Sequence, residues 1–223
     1  MRVPGQVNVL GYTHMDYCND CGLQQLLEAL EHQGETAGCV LGYGGVESVP
    51  RLLEAQRSIV VSAAALPLAR QLEQVAGIPY SCALPVGGSA LSEADSALPV
   101  SAGLGAGVKV LVVGDQVMSC ALRDFIGDRY GAICDVACMP RLDAQLARGG
   151  DARVKNEHAL AKKVAQGYEI VIVDPLLAPV VDHRQLFFGL PRPAVSGMVY
   201  QHTSIPLFGC DITDQLDQVF CML

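Results

Sequence analysis

Short runs of apolar, mostly β-branched residues alternate with longer amphipathic stretches, and this alternation limits the fold more than any other feature of the chain. Leu23, Leu26 and Leu30 recur at helical spacing ahead of Gly34, which is typical of one buried helix face. In the first half we predict strands at residues 7–10, 36–41, 58–61 and 79–84, and helices at 21–32, 47–55 and 66–75. Strands separated by helices pair in parallel, so this order predicts a doubly wound sheet.

The same pattern restarts after residues 85–107, a segment rich in glycine, serine and proline. We predict strands at residues 108–113, 133–138, 170–173 and 194–199, and helices at 117–130, 156–165, 182–188 and 213–220. A chain of 223 residues is long enough for two hydrophobic cores. The sequence therefore predicts an α/β protein of two tandem Rossmann-like domains, residues 1–105 and 106–223, each with a parallel sheet flanked by helices.

Open parallel sheets bind ligands beyond the carboxyl ends of their strands, and four residues at such positions are candidates for cofactor binding. Gly11 and Gly114 each follow the first predicted strand of a domain. His14 lies in the loop after Gly11, and His202 follows the last predicted strand. For each histidine the alternative is a hydrogen-bonded loop residue without a ligand.

Cysteine is unusually frequent, and the nine cysteines cannot all pair internally because their number is odd. Cys18 and Cys21 form a C-x-x-C motif at a predicted helix start, where free amide groups and the helix dipole stabilise thiolate. This spacing suits a shared metal or cluster, a redox disulfide or two unligated thiols, and all three remain open. The remaining cysteines are predicted to pack as small buried hydrophobes: Cys39, Cys82, Cys120, Cys134, Cys138, Cys210 and Cys221.

Composition and motifs exclude several classes of function. A net charge of −8 with 15 scattered Lys and Arg argues against a nucleic-acid partner. No apolar stretch reaches the roughly 20 residues of a membrane span, and the chain start lacks the apolar region of a secretory signal. Free thiols then favour a cytoplasmic location. The sequence also lacks the G-x-G-x-x-G, P-loop and G-x-S-x-G motifs.

The order of the segments resembles the middle and third domains of the nitrogenase component 1 family. One matching feature is a helix followed by Gly77-Ile78-Pro79-Tyr80 and a Pro/Gly turn. A second is a later strand that ends in Asp174-Pro175-Leu176. The similar segments are residues 7–11, 30–34, 69–80, 84–87, 108–115, 168–175 and 202–210. The family's amino-terminal cluster domain has no counterpart among them.

This resemblance implies Rossmann-like domains around a metallocluster or tetrapyrrole, an ATP-dependent iron–sulfur reductase as electron donor, and a homo- or hetero-oligomer. The family's cofactor cysteine follows the strand equivalent to residues 58–61, yet residues 60–65 contain no cysteine here. Our first hypothesis is an oxidoreductase domain that holds an iron–sulfur or related metallocluster in its interdomain crevice, with Cys18 and Cys21 as thiolate ligands and His14 or His202 as a third group. The alternatives are a non-catalytic scaffold or small-ligand-binding module, and a fragment of a longer chain.

Overall fold

The computed structural model describes most of the chain. It covers residues 2–17, 20–43, 45–82, 84–88, 104–139, 141–203, 205–209 and 211–223, with the backbone alone at residues 20, 21 and 201. Two parallel sheets flanked by helices account for this part of the molecule, which confirms the predicted α/β fold class. The domain limits at residues 105 and 106 remain a prediction.

The first sheet has the spatial order β2-β1-β3-β4, and all its neighbouring strands are parallel. Its strands are β1 (Gln6–Leu10), β2 (Thr36–Leu41), β3 (Arg57–Val60) and β4 (Tyr80–Ser81). The helices of this half are α1 (His14–Tyr17), α2 (Asp20–His32) and α3 (Leu66–Ala76). Leu23, Leu26 and Leu30 are fully buried, as the leucine spacing in α2 predicts.

The second sheet has the order β7-β6-β5-β8-β9 and is also parallel throughout. Its strands are β5 (Lys109–Val113), β6 (Ile133–Cys138), β7 (Ala152–Arg153), β8 (Ile170–Val173) and β9 (Leu186–Gly189). The helices of this half are α4 (Gln116–Tyr130), α5 (Glu157–Val164), α6 (Pro193–Ser196) and α7 (Asp211–Phe220). Every residue of β8 is buried, as expected of a central strand covered on both faces.

Two element predictions were wrong. Residues 182–188 contain no helix. Gln185 donates to the Val164 and Tyr168 carbonyls and ends a turn that leads into β9. Residues 194–199 form no strand, because Pro193 begins the short helix α6, which ends at Gly197. The helix predicted at residues 47–55 is present as a 3₁₀ helix, Val46–Leu53, since a proline inside it cannot donate an i→i−4 hydrogen bond.

Buried side chains from both sheets form one continuous hydrophobic cluster. Val9 and Ile59 of the first sheet belong to it together with Val112 and Ile172 of the second. Because the core runs across the two sheets, their relative position is held by apolar packing as well as by polar contacts. Among the described residues, no helix is long and apolar enough to cross a membrane.

Candidate functional site

The carboxyl edges of the two sheets face each other across a crevice. In the first sheet the strand order reverses between β1 and β3, and in the second it reverses between β5 and β8. Loops diverge at such reversal points and leave room for ligands. Asp115, directly after β5 and its turn, contacts Ser62 and Ala63, which follow β3. The two reversal points are therefore in direct contact.

The crevice contains a small cavity whose wall comes from both halves of the chain. It is lined by Asp16, Tyr17 and Gly22 from the first half, and by Met118, Leu190, Pro191, Arg192 and residues 205–207 from the second. The cavity has room for about one water molecule. The wall is mostly apolar, with one buried cation and one carboxylate.

Arg192 is the cation in this wall and lies directly before α6. Its Nη2 donates to Asp16 Oδ1 at 2.8 Å, and only 5% of its side chain is exposed. The backbone of Arg192 is fixed as well, because its amide donates to Asp174 Oδ2 at 2.6 Å. Ser196 Oγ donates to the same carboxylate oxygen at 2.9 Å. The guanidinium is therefore presented to the crevice from a rigid base.

Asp115 also connects the two halves of the chain, through the turn that follows β3. Its carboxylate caps α4 by accepting from Val117 N at 3.0 Å, and it accepts from Ser62 Oγ at 3.1 Å and Ala63 N at 3.0 Å. Burial raises the pKa of this carboxyl, while the nearby Arg192 lowers it. One side chain thus begins a helix in the second half and binds a turn of the first half.

Aromatic side chains support the crevice from the first sheet. The rings of Tyr12 and Tyr17 stack at 4.9 Å, and Phe208 lies 5.5 Å from the ring of Tyr17. The Tyr17 hydroxyl donates to the Val61 carbonyl at the end of β3. Burial raises the pKa of Tyr17 well above its usual value, so this residue is a neutral donor and a rigid wall.

Gly11 and Gly114, both predicted from strand ends, lie at the crevice, and protein packing accounts for both glycines. A Cβ on Gly11 would lie 2.9 Å from the Cβ of Ala65, and the φ angle of Gly11 is +90°. A Cβ on Gly114 would lie 2.4 Å from Nη1 of Arg192. The glycines allow neighbouring segments to approach closely, and their role in cofactor binding remains a prediction.

The two candidate histidines lie on the surface. His14 begins α1, where its exposed ring lies 5.6 Å from the ring of Tyr43 and 6.4 Å from that of Tyr12. His202 is exposed in a 3₁₀ turn. It does not follow a strand, because the segment predicted as that strand contains the short helix α6. The cavity wall contains neither residue.

The predicted metal ligands Cys18 and Cys21 are not tested, since Cys18 and the side chain of Cys21 lie outside the described residues, as does Cys210. Among the side chains that are described, no three His, Cys, Asp or Glu come together as a metal site requires. Burial raises the pKa of Cys120 to about 11 and of Cys138 to about 12. Without a bound metal these thiols are therefore protonated at neutral pH, as expected of buried cysteines.

The prediction that the remaining cysteines are buried is confirmed for Cys39, Cys120 and Cys138. Cys82 and Cys134 are half-buried. Cys221 is exposed in the turn after α7, so the prediction was wrong for this residue.

Sequence reasoning missed the charged residues of the crevice. Arg192 and Asp16 are separated by 176 positions, so no local spacing connects them. The incorrect prediction of a strand at residues 194–199 also placed Arg192 before a strand. Ligand-binding residues are expected in loops that follow strands. The Pro-Arg-Pro sequence at 191–193 is a usable signal, because a proline at the first helical position indicates a loop-to-helix boundary.

A comparison with solved structures places this fold beside a nitrogenase. A structure described as nitrogenase Cp1 at pH 6.5 is similar, with a TM-score of 0.61 and 16% sequence identity over 97% of this chain. The match covers 60% of the nitrogenase chain, so the present chain spans less than two thirds of that chain. No protein-family model and no curated protein matches the sequence. At this level of identity the similarity shows a nitrogenase-like fold.

Proposed function

We propose that this chain is a nitrogenase-like domain that binds a small ligand in the crevice between its two sheets. The observation that carries the proposal is a cavity at facing strand ends, lined in part by Asp16, Tyr17 and Arg192. Ligand sites in α/β proteins occur at such reversal points, and they combine an apolar wall with a few fixed polar groups.

The chain's own residues would bind and orient the ligand. Arg192 is held by Asp174 and supplies directed N–H donors at one end of the cavity. Met118 and Leu190 supply apolar surface and exclude water. The hydrogen bond between Asp115 and Ser62 holds the two sheets together, so their relative position is set before the ligand arrives.

Native mass spectrometry of the protein purified from the cells that make it tests this proposal. We expect a bound small molecule in the wild type and its loss from Ile205→Trp, because the larger side chain fills the cavity that Ile205 lines. Ile133→Trp is the matched control, since Ile133 is 56% exposed at the amino end of β6. The proposal fails if the wild type carries no ligand, or if Ile205→Trp retains as much ligand as Ile133→Trp.

A second candidate function is that of an oxidoreductase domain with an iron–sulfur or related metallocluster in the same crevice. It is supported by Asp16, Tyr17 and Gly22, which line the cavity and flank Cys18 and Cys21 in the sequence. A bound cluster would supply one-electron chemistry. An ATP-dependent iron–sulfur reductase as electron donor and a homo- or hetero-oligomer are part of this candidate, as the family resemblance implies.

Anaerobic reconstitution with iron and sulfide separates the two candidates. If the cluster candidate is correct, the wild type binds iron with visible absorption, and a double Cys18→Ser, Cys21→Ser variant does not. The double variant Cys134→Ser, Cys221→Ser removes two thiols elsewhere and retains the iron. A colourless wild type, or equal iron in both variants, refutes the metallocluster.

A cytoplasmic location also remains a proposal. The cysteines whose side chains are described are free thiols, which suits a reducing compartment. Fractionation of the source cells followed by immunodetection tests it, and recovery of the protein in an oxidising compartment would contradict it.

A further inference from the structure

We propose that Arg192 anchors a singly charged carboxylate group of the crevice ligand, and that the Asp16 carboxylate occupies this place until the ligand displaces it. The inference rests on the proposed function, because it specifies the chemistry of a ligand in the same crevice. It is carried by the hydrogen bonding of the guanidinium, by the unequal burial of the two partners and by the charges around them.

Along one edge of the Arg192 guanidinium, only one of the two nitrogen atoms donates a hydrogen bond to a described residue. Nη2 donates to Asp16 Oδ1 at 2.8 Å, whereas the buried Nε has no hydrogen-bond partner among the described residues. The N–H of Nε and one N–H of Nη2 point the same way from the planar group and together match the two oxygens of a carboxylate. Two-point pairing is the stronger arrangement, so a carboxylate placed squarely on this edge gains a bond that Asp16 does not make.

Arg192 is fixed, while Asp16 belongs to a smaller and more exposed element. The Arg192 side chain is 5% exposed and follows a backbone amide bound to Asp174 at 2.6 Å. Asp16 has 20% of its side chain exposed and lies in α1, a helix of four residues. Its other carboxylate oxygen accepts from Thr13 at 3.0 Å in the same loop. Asp16 can therefore leave the cation without disturbing either sheet.

The surroundings define the class of ligand. Asp115 lies near enough to affect Arg192 electrostatically, so a second negative charge on the ligand is unfavourable. Met118, Leu190 and Leu207 provide an apolar wall beside the cation. The cavity has room for about one water molecule while Asp16 is in place, so the ligand carboxylate takes the space that the Asp16 carboxylate vacates and the apolar body lies along the apolar wall. A monocarboxylate with a short aliphatic or aromatic body fits these conditions.

Titration with butyrate, monitored by NMR at constant ionic strength, tests the exchange. Asp16→Asn removes the competing charge and keeps an acceptor for Thr13, so we expect it to bind butyrate about tenfold more tightly than the wild type. Asp124→Asn is the matched control, because it removes a carboxylate from the exposed Arg148–Asp124 pair. It should leave butyrate affinity within about twofold of the wild type, as expected for an exposed pair.

Two further measurements show whether the tighter butyrate binding by Asp16→Asn depends on the carboxylate of butyrate and on the guanidinium of Arg192. Butyramide, the neutral analogue, should bind Asp16→Asn and the wild type equally. Arg192→Lys in the Asp16→Asn background keeps the charge but loses the planar edge, so it should lose the gain. In the wild type, butyrate should shift the Nε–H resonance of Arg192, and this reading does not depend on whether any variant folds.

The inference is wrong if Asp16→Asn binds butyrate no better than Asp124→Asn, if butyramide shows the same gain, or if Arg192→Lys preserves it. A native ligand that is lost from Ile205→Trp, together with butyrate binding that is independent of Arg192, refutes the inference and leaves the proposed function standing. Butyrate binding that depends on Arg192, without any native ligand, supports the inference and counts against the proposed function.

Discussion

Replacing Asp115 with alanine should destabilise the protein by more than the loss of a helix cap. The carboxylate caps α4 through Val117 N at 3.0 Å, and such caps contribute about 1 kcal/mol. It also accepts from Ser62 Oγ at 3.1 Å and Ala63 N at 3.0 Å, and bonds to charged groups contribute ~1.5–3 kcal/mol each. Relief of the buried charge offsets part of this loss, so we expect a net destabilisation of about 2–3 kcal/mol.

Urea unfolding followed by circular dichroism at pH 7 measures this loss. Asn156→Ala is the control, because Asn156 caps α5 through Ala159 N at 2.9 Å and its side chain makes no hydrogen bond to the described residues of the first half. It should cost about 1 kcal/mol, the value of a cap alone. Asp115→Asn keeps one acceptor oxygen and should fall between the two alanine variants. If Asp115→Ala costs no more than Asn156→Ala, Asp115 does not stabilise the contact between the sheets.

Two further predictions concern packing and acid stability. Gly114→Ala should destabilise the protein by about 1–3 kcal/mol in urea unfolding, because its Cβ would lie 2.4 Å from Nη1 of Arg192. Gly149→Ala, with no atom within 4 Å of its Cβ, should have little effect, and equal losses would refute this reasoning. Arg70 lowers the pKa of the Asp143 carboxyl, so the stability from this pair is complete above about pH 4 and is lost as the pH falls below it. Arg70→Met should therefore cost ~1–2 kcal/mol at pH 6 and progressively less as the pH falls below about 4, and a cost independent of pH would contradict the assignment.

The parallel sheets were predictable because their signals are local. Ile170–Val173 is an uninterrupted apolar run, and its burial on both faces follows from that run alone. The segment after it was not predictable in the same way. The polar start at Asp182 reads as a helix, but the turn is fixed by Gln185, which binds carbonyls about twenty positions earlier in the chain. Side chains that bind distant backbone atoms override local preference, and a single sequence does not reveal them.

The location of the candidate site was predictable, whereas its chemistry was not. The rule that ligands bind at strand ends selected Gly11 and Gly114, and both lie at the crevice. The rule does not distinguish a thiol pair from an ion pair as the central group. Asp16 and Arg192 meet only because the two sheets face each other, and that arrangement is a property of the whole fold.

The charged groups buried at the crevice cost free energy of folding, and this cost needs a physical explanation. Arg192, Asp115 and Asp174 are each largely withdrawn from water, and removing ionised groups from water costs several kcal/mol per group. For Asp174, hydrogen bonds from the Arg192 amide and from Ser196 offset this desolvation free energy. For the Arg192 guanidinium the offset is smaller, since its Nε has no partner among the described residues. Well-packed apolar side chains often stabilise a buried contact at least as much as an ion pair does. A buried cation with one edge incompletely bonded is therefore poorly explained by stability alone, and binding a complementary anion accounts for it.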